Sequence, residues 1–445
     1  STALPPGPKG TPIRGNLDAF TGRRLDFFLE VARQYGDLAS FRLGPKRVFL
    51  ASHPDLVEQV LVTDARHYVK HFGARMYKPV LGNGLVTSEG DFWLRQRRLA
   101  QPAFLKNRVL SYAPLMADAA DRMLATWAHG KDVNIHYEFS SLTSAIALKT
   151  LFDLDDAADR HRFTETLRRA FDLMSARFRR LVHVPLWVPT LANIRLRRAA
   201  RELYGVVDGF IAAGRARSHT GDDLLSRLLA ARDEDGSQMT AGQLRDEAMT
   251  LYLAGHETTA LTLTWSWYLL SQHPEAEEKL VAEWRTVLGG RTPAADDLGK
   301  LPYTDAVITE AMRVYPPVYL IGREATTDLE LGGYRIKKGY TVFMSQWVSH
   351  RDPRYFPDPE AFRPERWLDG LAKRLPKYAY FPFGGGPRIC IGNTFALTEA
   401  TILLAAIGQK YRFATTLEGP PRLNPQITLL PKDQMPAVLQ RRPRS

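Results

Sequence analysis

Amphipathic patterns, in which apolar residues recur at helical spacing, dominate the chain from Leu17 to Gln272. Segments that alternate like β-strands lie nearer the two ends, in ASFRLGPKRVFLAS (39–52) and GGYRIKKGYTVFMS (332–345). The sequence contains no internal repeat, no low-complexity tract and no convincing linker. We therefore expect a mainly α fold with small β sheets (α+β), built as a single domain over residues 1–445.

One helix is predicted to be much longer than the others. Thr240 and Gln243 form a capping box at its start, and the helical pattern then continues unbroken to Pro274. About thirty residues at 1.5 Å rise would span roughly 45 Å, enough to cross the whole protein. Two further helices are predicted, one from about Tyr303 to Pro316 and one after Cys390. The apolar residues Leu397, Ala400, Leu404 and Ile407 lie on one face of this last helix.

The composition narrows the classes of function. Hydrophobic residues make up 44% of the 445 residues, enough for a large core, and a single cysteine excludes an internal disulfide framework. The formal charge of +12 favours an acidic partner, but the chain has no nucleic-acid-binding module, so we expect no nucleic-acid partner. No apolar run is long enough for a transmembrane span. We expect a cytoplasmic protein; the alternative is a membrane-anchored parent whose anchor is absent from this chain.

The single cysteine, Cys390, lies in the stretch FPFGGGPRICIG (381–392), directly before a predicted helix. A thiolate is a strong, soft metal ligand, and the amides of a helix N-terminus stabilise its negative charge. The glycines at 384–386 would let the backbone approach a bulky flat group, and Arg388 could pair with an anion on it. The alternative is a buried cysteine that acts as a small apolar side chain. Zinc binding by HExxH is excluded at HETTA (256–260), which has alanine in place of the second histidine.

The cysteine loop resembles the ligand loop of the cytochrome P450 superfamily of haem-thiolate monooxygenases. The residues that carry this resemblance are Phe383, Gly386, Arg388, Cys390 and Gly392. Further motifs follow the family's chain order over nearly the whole chain: WxxxR at Trp93 and Arg97, AGHETT at 254–259, ExxR at Glu310 and Arg313, and FRPERW at 362–367. The resemblance implies the family's triangular prism, with haem b buried between a long central helix and the cysteine loop.

The resemblance also implies roles in haem binding. Cys390 would be the proximal thiolate ligand of the haem iron, which favours cleavage of the O–O bond. Trp93 and Arg97 would bind one haem propionate from a shared helix face, and Arg388 would bind the other. Arg323 aligns more loosely with a further propionate-binding arginine of the family. For Arg97, the alternative is a solvated basic face around WLRQRR.

Glu310 and Arg313 lie three residues apart on a predicted helix and would form an ordinary surface ion pair if they stood alone. In the family that the chain resembles, this pair is buried with the arginine of the FRPERW element, here Arg366, and the triad supports the core on the haem side. Removing one partner would leave a buried charge uncompensated. We therefore expect that Arg313→Ala abolishes folding or haem retention.

The AGHETT motif lies midway along the longest predicted helix. Ala254 and Gly255 are small enough to leave room for a diatomic ligand. Thr258 offers a hydroxyl that can hydrogen-bond to oxygen, and Glu257 can supply protons through water; the alternative is a threonine that only bonds a backbone carbonyl. The pair favours reductive activation of O2 over a peroxide-driven or isomerising haem enzyme. A non-catalytic haem or lipophile carrier is a further alternative.

Apolar segments that match the family's substrate-lining regions imply a hydrophobic substrate such as a fatty acid, a terpenoid or a steroid. The residues expected to line this site are Phe72, Met76, Leu85, Leu251, Ala254, Val318, Leu320 and Ile427. The apolar, proline-broken stretch at 181–194 corresponds to a lid that would admit substrate or make a peripheral membrane contact. For each lining residue the alternative is an ordinary core position.

The chain has no flavin, nicotinamide or iron–sulfur signature, so electrons from NAD(P)H must arrive through a separate partner. The resemblance implies a ferredoxin, a flavodoxin or a flavin reductase. Basic residues expected to dock such an acidic partner are Arg95, Arg98, Lys106, Lys377 and Arg388. We expect a monomer that inserts one oxygen atom into an apolar C–H or C=C bond.

Overall fold

The computed structural model describes residues 4–178, 184–216 and 223–443, so residues 181–183 of the predicted lid lie outside it. The α-helices are α1 (Leu17–Gly22), α2 (Arg24–Tyr35), α3 (Pro54–Glu58), α4 (Phe72–Arg75), α5 (Lys78–Leu81), α6 (Gly90–Ala100), α7 (Lys106–Leu110), α8 (Ala113–Leu124), α9 (Ile135–Phe152), α10 (Ala157–Phe178), α11 (Leu191–Ala216), α12 (Leu224–Ala230), α13 (Ala241–Gln272), α14 (Pro274–Leu288), α15 (Pro302–Val314), α16 (Gln346–Ser349), α17 (Glu365–Leu368), α18 (Leu371–Arg374) and α19 (Asn393–Gly408). The β-strands are β1 (Leu38–Leu43), β2 (Lys46–Ala51), β3 (Tyr68–Lys70), β4 (Asp132–Asn134), β5 (Ile321–Ala325), β6 (Leu329–Leu331), β7 (Tyr334–Ile336), β8 (Thr341–Met344), β9 (Tyr411–Thr415), β10 (Leu423–Pro425), β11 (Leu429–Pro431) and β12 (Pro436–Arg441).

The described residues form two compact units. The first contains the residues up to His71, Met116–Leu142 and the residues from Thr258 onward; the second contains Phe72–Leu115 and Thr143–Glu257. The expected mainly α fold with small β sheets is confirmed, whereas the single catalytic domain over residues 1–445 stays a prediction. Within the described ranges, no helix combines the length and the apolar character needed to cross a bilayer.

The first unit contains a five-stranded sheet in the order β1-β2-β8-β5-β3, in which only the β2–β8 pair is parallel. Its two faces are both covered: Phe49 and Val342 pack into one apolar cluster, and Val48 and Phe343 pack into another. Burial on both faces explains the apolar runs VFLA in β2 and VFM in β8. The strands predicted at 39–52 and 332–345 are confirmed.

Helix α13 begins as the sequence predicts. The backbone N–H of Thr240 donates to Gln243 Oε1 at 2.8 Å, and the backbone N–H of Gln243 donates to Thr240 Oγ1 at 3.2 Å, so the capping box is confirmed. The helix continues for 32 residues and stops before Pro274, which starts α14. Leu261, Leu263 and Trp265 are fully buried, so the second half of α13 is a core element of the first unit.

Helix α15 is buried along nearly its whole length, and α19 is buried from Thr398 to Gly408. Of the four apolar residues on one face of α19, Ala400, Leu404 and Ile407 are buried, whereas Leu397 is 39% exposed. The physical reason is that α19 is apolar on all sides, so its burial does not follow a single stripe. Leu397 lies in the first turns, before the helix enters the core.

Candidate active site

Backbone hydrogen bonds close the cysteine loop into a tight turn. The N–H of Cys390 donates to the carbonyl of Phe383 at 3.0 Å, and the N–H of Ile389 donates to the carbonyl of Gly386 at 3.1 Å. The chain then enters α19, whose first residue is Asn393. These bonds involve only the backbone of Cys390, so the loop presents an exposed thiol just before the N-terminus of a 16-residue helix.

The glycines of this loop are required by packing within the protein. A Cβ on Gly386 would lie 1.8 Å from the carbonyl oxygen of Leu61, and one on Gly385 would lie 2.3 Å from the ring of Tyr378. Gly384 and Gly386 also adopt φ of +73° and +66°, which disfavour any residue with a Cβ. These contacts give a reason for Gly385 and Gly386 within the protein, and close approach of the loop to a flat group stays a prediction.

The chemistry of this loop fits a haem. An exposed thiol before a helix N-terminus is a soft donor whose anionic form the helix amides stabilise. Ile389 and Leu397 are each 39% exposed, so apolar surface accompanies the thiol on the first unit. Ile321 of β5 packs 3.3 Å from the Cβ position of Gly384. The strand that carries Arg323 is thus in contact with the loop that carries Arg388 and Cys390.

The remaining expected propionate ligands lie on α6 in the second unit. Trp93 is 8% exposed, and Arg97 Nε donates to Gln101 Oε1 at 2.9 Å. The neighbouring Arg95 was expected to dock an acidic partner, but its guanidinium is bonded within the protein. Its guanidinium donates to Asp233 Oδ2 at 2.8 Å and to the hydroxyl of Ser237 at 2.7 Å, because the polar loop before α13 folds onto α6.

The structure brings Glu310, Arg313 and Arg366 together in the first unit. Arg313 binds the Glu310 carboxylate in a bidentate manner, at 2.9 Å and 2.8 Å, and both side chains are 0% exposed. Arg366 Nε donates to Glu310 Oε1 at 3.0 Å, although these residues are 56 positions apart. The remaining guanidinium N–H groups of Arg313 donate to the carbonyls of residues 350, 359 and 361.

Sequence reasoning missed two residues of this network. Trp367 Nε1 donates to Glu310 Oε2 at 2.8 Å. The backbone carbonyl of His350 accepts a hydrogen bond from the Arg313 guanidinium at 2.9 Å. The Nε2 atom of His350 accepts a hydrogen bond from the backbone N–H of Phe381 at 3.1 Å. Burial, together with the nearby positive charges of Arg313 and Arg351, holds the pKa of His350 well below its usual value. A neutral His350 therefore links the triad to the start of the cysteine loop.

The AGHETT motif occupies the least buried part of α13. Ala254 is exposed, whereas Thr259 and Ala260 are buried. A Cβ on Gly255 would meet no atom within 4 Å, so packing against other elements does not require glycine there. The carbonyl of Thr258 accepts the hydroxyl of Thr262 at 2.9 Å, as threonine commonly does within helices.

The carboxyl of Glu399 on α19 is buried near Thr259, the last residue of this motif. Burial raises the pKa of Glu399 to about 8, and the Thr259 hydroxyl partly opposes this shift. The side chain is only 1% exposed. At neutral pH the carboxyl is therefore mostly protonated in the folded protein. No feature of the sequence marked it, because a single glutamate in an apolar helix gives no sign of its partner.

Replacing Glu399 by glutamine should flatten the pH dependence of stability. Between the unfolded pKa of about 4.3 and the folded value of about 8, the folded state binds more protons at this site, so its stability falls as the pH rises, by up to about 1.4 kcal/mol per pH unit. The measurement is thermal unfolding of the haem-loaded wild type and Glu399→Gln from pH 5 to 8. Asp305, with a pKa of about 6, titrates in both proteins and cancels. Parallel curves for the two proteins would refute this expectation.

The expected substrate-lining residues divide between the two units. In the second unit, Phe72, Met76 and Leu251 are half-buried and Leu85 is buried. In the first unit, Val318 and Leu320 are half-buried, and Ile427 is 41% exposed. Leu320 also packs against a core cluster that contains Phe343. The turn that carries Leu85 is hydrogen-bonded to α13, the helix of Leu251 and Ala254.

Comparison with known proteins gives consistent matches along the chain. The family model described as Cytochrome P450 matches residues 5–437. The chain is 39% identical over 429 residues to cyclooctatin synthase of Streptomyces melanosporofaciens, covering 95% of this chain and 92% of that protein. It is 36% identical to cyclooctat-9-en-7-ol 5-monooxygenase of the same organism (91% and 88% covered) and 36% identical to pentalenene oxygenase of Streptomyces avermitilis (91% and 90% covered).

Solved structures agree with these relatives. The retinoic-acid-bound cyanobacterial CYP120A1 superposes with a TM-score of 0.87 at 28% identity, covering 99% of this chain and 100% of that one. The haem domain of cytochrome P450DA superposes with a TM-score of 0.90 at 28% identity, covering 100% and 99%.

Proposed function

Because the chain belongs to the cytochrome P450 family and is a cytochrome P450 monooxygenase, we propose that it oxidises a terpenoid with O2 and two electrons from a separate redox partner. One oxygen atom enters a C–H or C=C bond of the substrate, and the other leaves as water with two protons. The observation that carries the proposal is the backbone-closed loop that presents Cys390 before α19.

The residues of the loop and its neighbours fit haem, and their proposed roles follow residue by residue. Cys390 would hold the haem iron as a thiolate, and Phe383, Gly386 and Gly392 would shape the loop around it. Arg388 and Arg323 would bind haem propionate. Trp93 and Arg97 on α6 are proposed to do the same. When bound, a haem with a thiolate ligand supplies the activation of O2.

Two residues of α13 are proposed to manage protons. The Thr258 hydroxyl holds a proton on the least buried stretch of the helix, and the adjacent Glu257 carboxylate relays protons from solvent. Ala254 and Gly255 keep side-chain bulk away from this stretch, since neither carries more than a methyl group. This division of roles favours O2 over peroxide as the oxidant, because O2 reduction requires protons to be delivered during each turnover.

A terpenoid is the proposed substrate class. Three relatives that match most of the chain are named as a cyclooctatin synthase, a monooxygenase of cyclooctat-9-en-7-ol and an oxygenase of pentalenene. The predicted lining residues of this chain are apolar throughout, so burial of apolar area would supply most of the binding free energy. An extended fatty acid would need a charged partner for its carboxylate, and none of the predicted lining residues carries a charge.

A ferredoxin, a flavodoxin or a flavin reductase is the proposed electron donor, drawing on NAD(P)H. Lys377 supports docking of an acidic partner, because its side chain is 71% exposed and its contact with Glu58 is long, at 3.8 Å. Arg95 does not, because Asp233 and Ser237 occupy its guanidinium. A cytoplasmic location and a monomeric state stay predictions.

The experiment is turnover of the haem-loaded chain with NADPH, a ferredoxin reductase and a ferredoxin, using pentalenene and cyclooctat-9-en-7-ol as probes. We expect a product that carries one atom of ¹⁸O from ¹⁸O₂. Thr258→Ala should lower product formed per NADPH by about tenfold and release hydrogen peroxide instead. Thr262→Ala is the matched control, since its hydroxyl bonds only the Thr258 carbonyl, and it should retain coupling.

Three outcomes would count against the proposal. If Thr258→Ala formed as much product per NADPH as the wild type, the proposed role of Thr258 in proton delivery would be wrong. Turnover that proceeds as fast with hydrogen peroxide alone would favour the peroxide-driven alternative. Haem-loaded chain that binds both terpenoids but forms no product with any electron donor would favour a carrier.

A further inference from the structure

Two adjacent carboxylates of α13 hold the turn at residues 82–88, which joins α5 to α6 in the second unit. The backbone N–H of Asn83 donates to Asp246 Oδ2 at 2.7 Å, and the backbone N–H of Leu85 donates to Glu247 Oε2 at 2.9 Å. Neither bond is predictable from local sequence, because more than 160 residues separate the partners. Each joins a side-chain carboxyl oxygen of the helix to a backbone amide of the turn.

The glycines of the turn allow it to pack closely against α13. A Cβ on Gly82 would lie 2.1 Å from the Asp246 carboxylate carbon, and one on Gly84 would lie 2.2 Å from the hydroxyl of Thr250. Gly82 also has φ of +65°, which favours glycine independently. The turn is closed internally by the Thr87 hydroxyl, which donates to the carbonyl of Gly82 at 2.7 Å. The turn and the helix are thus in direct contact.

The helix that precedes the turn, α5, is bonded to α11. Tyr204 of α11 donates its hydroxyl to the carbonyl of Pro79 in α5 at 3.2 Å. Arg245 stacks over the Tyr204 ring at 4.3 Å and reaches Asp246 Oδ1 at 3.4 Å. Glu247 is only 1% exposed, so the bond from Leu85 to its carboxylate is shielded from water.

The spacing of residues along α13 connects this contact between turn and helix to the predicted substrate site. Glu247, Leu251 and Ala254 lie at positions i, i+4 and i+7 and therefore share one face of the helix. The amide of Leu85 is bonded to the first residue of this stripe. Leu85 is therefore held at one end of the helix face that carries two other predicted substrate-lining residues.

We propose that Asp246 and Glu247 are positioning residues that lock the 82–88 turn onto α13 and so determine which carbon of the substrate is oxidised. The inference rests on the proposed function for its last step. Glu247 acts through the Leu85 backbone: when the turn shifts, the side chain of Leu85 shifts with respect to Leu251 and Ala254, and the wall of the site changes shape.

The first arm of the test is independent of any substrate. Hydrogen–deuterium exchange of the haem-loaded wild type is compared with that of Glu247→Ala and Glu247→Gln. We expect the Asn83 and Leu85 amides to exchange about tenfold faster in Glu247→Ala, with partial restoration in Glu247→Gln, whose amide oxygen still accepts a hydrogen bond. Glu202→Gln, which removes an exposed carboxylate paired with Arg169 at 3.1 Å, is the control. Unchanged protection in Glu247→Ala would overturn the lock.

The second arm measures specificity. With pentalenene and cyclooctat-9-en-7-ol as probes, Glu247→Ala should change the ratio of oxidised positions by about tenfold and weaken binding, while the wild-type haem spectrum is retained. Gly84→Ala, which displaces the turn with both carboxylates intact, should change the ratio in the same sense and serves if Glu247→Ala does not fold. Faster exchange with an unchanged product ratio would overturn the specificity role. If the wild type oxidises neither probe, the proposed function fails. The exchange experiment then still shows whether the two carboxylates hold the turn on α13.

Discussion

Arg313→Ala is expected to yield no haem-loaded protein. The substitution leaves the Glu310 carboxylate buried after losing both bonds of its bidentate partner. It also removes the donors to three backbone carbonyls, those of the buried His350 and of the half-buried Pro359 and Ala361. Breaking a buried ion pair in this way costs about 3–5 kcal/mol. That is a large part of a typical stability of about 5–15 kcal/mol.

The measurement is the yield of soluble protein and its haem content after purification. Arg313→Lys should fail nearly as badly, because an ammonium cannot reproduce the planar set of donors that reaches Glu310 and the carbonyls together. Arg335→Ala is the control: it breaks an ion pair with Asp328 in the same unit, but both side chains are about half exposed, so little stability is lost. Soluble Arg313→Ala with a full complement of haem would contradict the account.

Cys390→Ser is expected to leave the fold intact and to abolish monooxygenase turnover. The backbone bond from residue 390 to Phe383 does not use the side chain, and the thiol is exposed, so serine fits without strain. Serine is a far weaker ligand for haem iron and cannot donate electron density as a thiolate does. NADPH-dependent product formation should therefore fall to background while thermal unfolding of the chain without haem is unchanged.

This contrast separates ligand loss from structural damage. Ile389→Val changes the exposed neighbour of Cys390 and should retain both haem and turnover. If Cys390→Ser formed product at the wild-type rate, another residue would hold the iron, and the proposed role of the loop would be wrong. If Cys390→Ser did not fold, the thiol would have a structural role that its exposure does not suggest.

The local patterns of the sequence were sufficient for much of the fold. The capping box of Thr240 and Gln243 and the unbroken run to Pro274 depend on residues close in the chain, and both are confirmed. The strands around 39–52 and 332–345 follow from alternation and β-branched content in the same way. The exposure of Leu397 on α19 did not follow from the sequence, because a helix that is apolar on all sides has no preferred side.

Contacts between distant residues were beyond the same reasoning. Trp367 and His350 join the triad from 57 and 37 positions away from Glu310 and Arg313, and each would be read alone as an ordinary core residue. Asp246 and Glu247 look like the solvated face of a helix until the turn at 82–88 is placed on them. The buried triad of Glu310, Arg313 and Arg366 was predictable only from the resemblance to a family, since the spacing alone predicts a surface ion pair.

The most direct test of the central claim, that Cys390 ligates haem as a thiolate, is the absorption spectrum of the ferrous carbon monoxide complex of the purified haem-loaded chain. We expect a strongly red-shifted Soret band in the wild type. A spectrum like that of histidine-ligated haem, or well-folded protein that binds no haem, would contradict it.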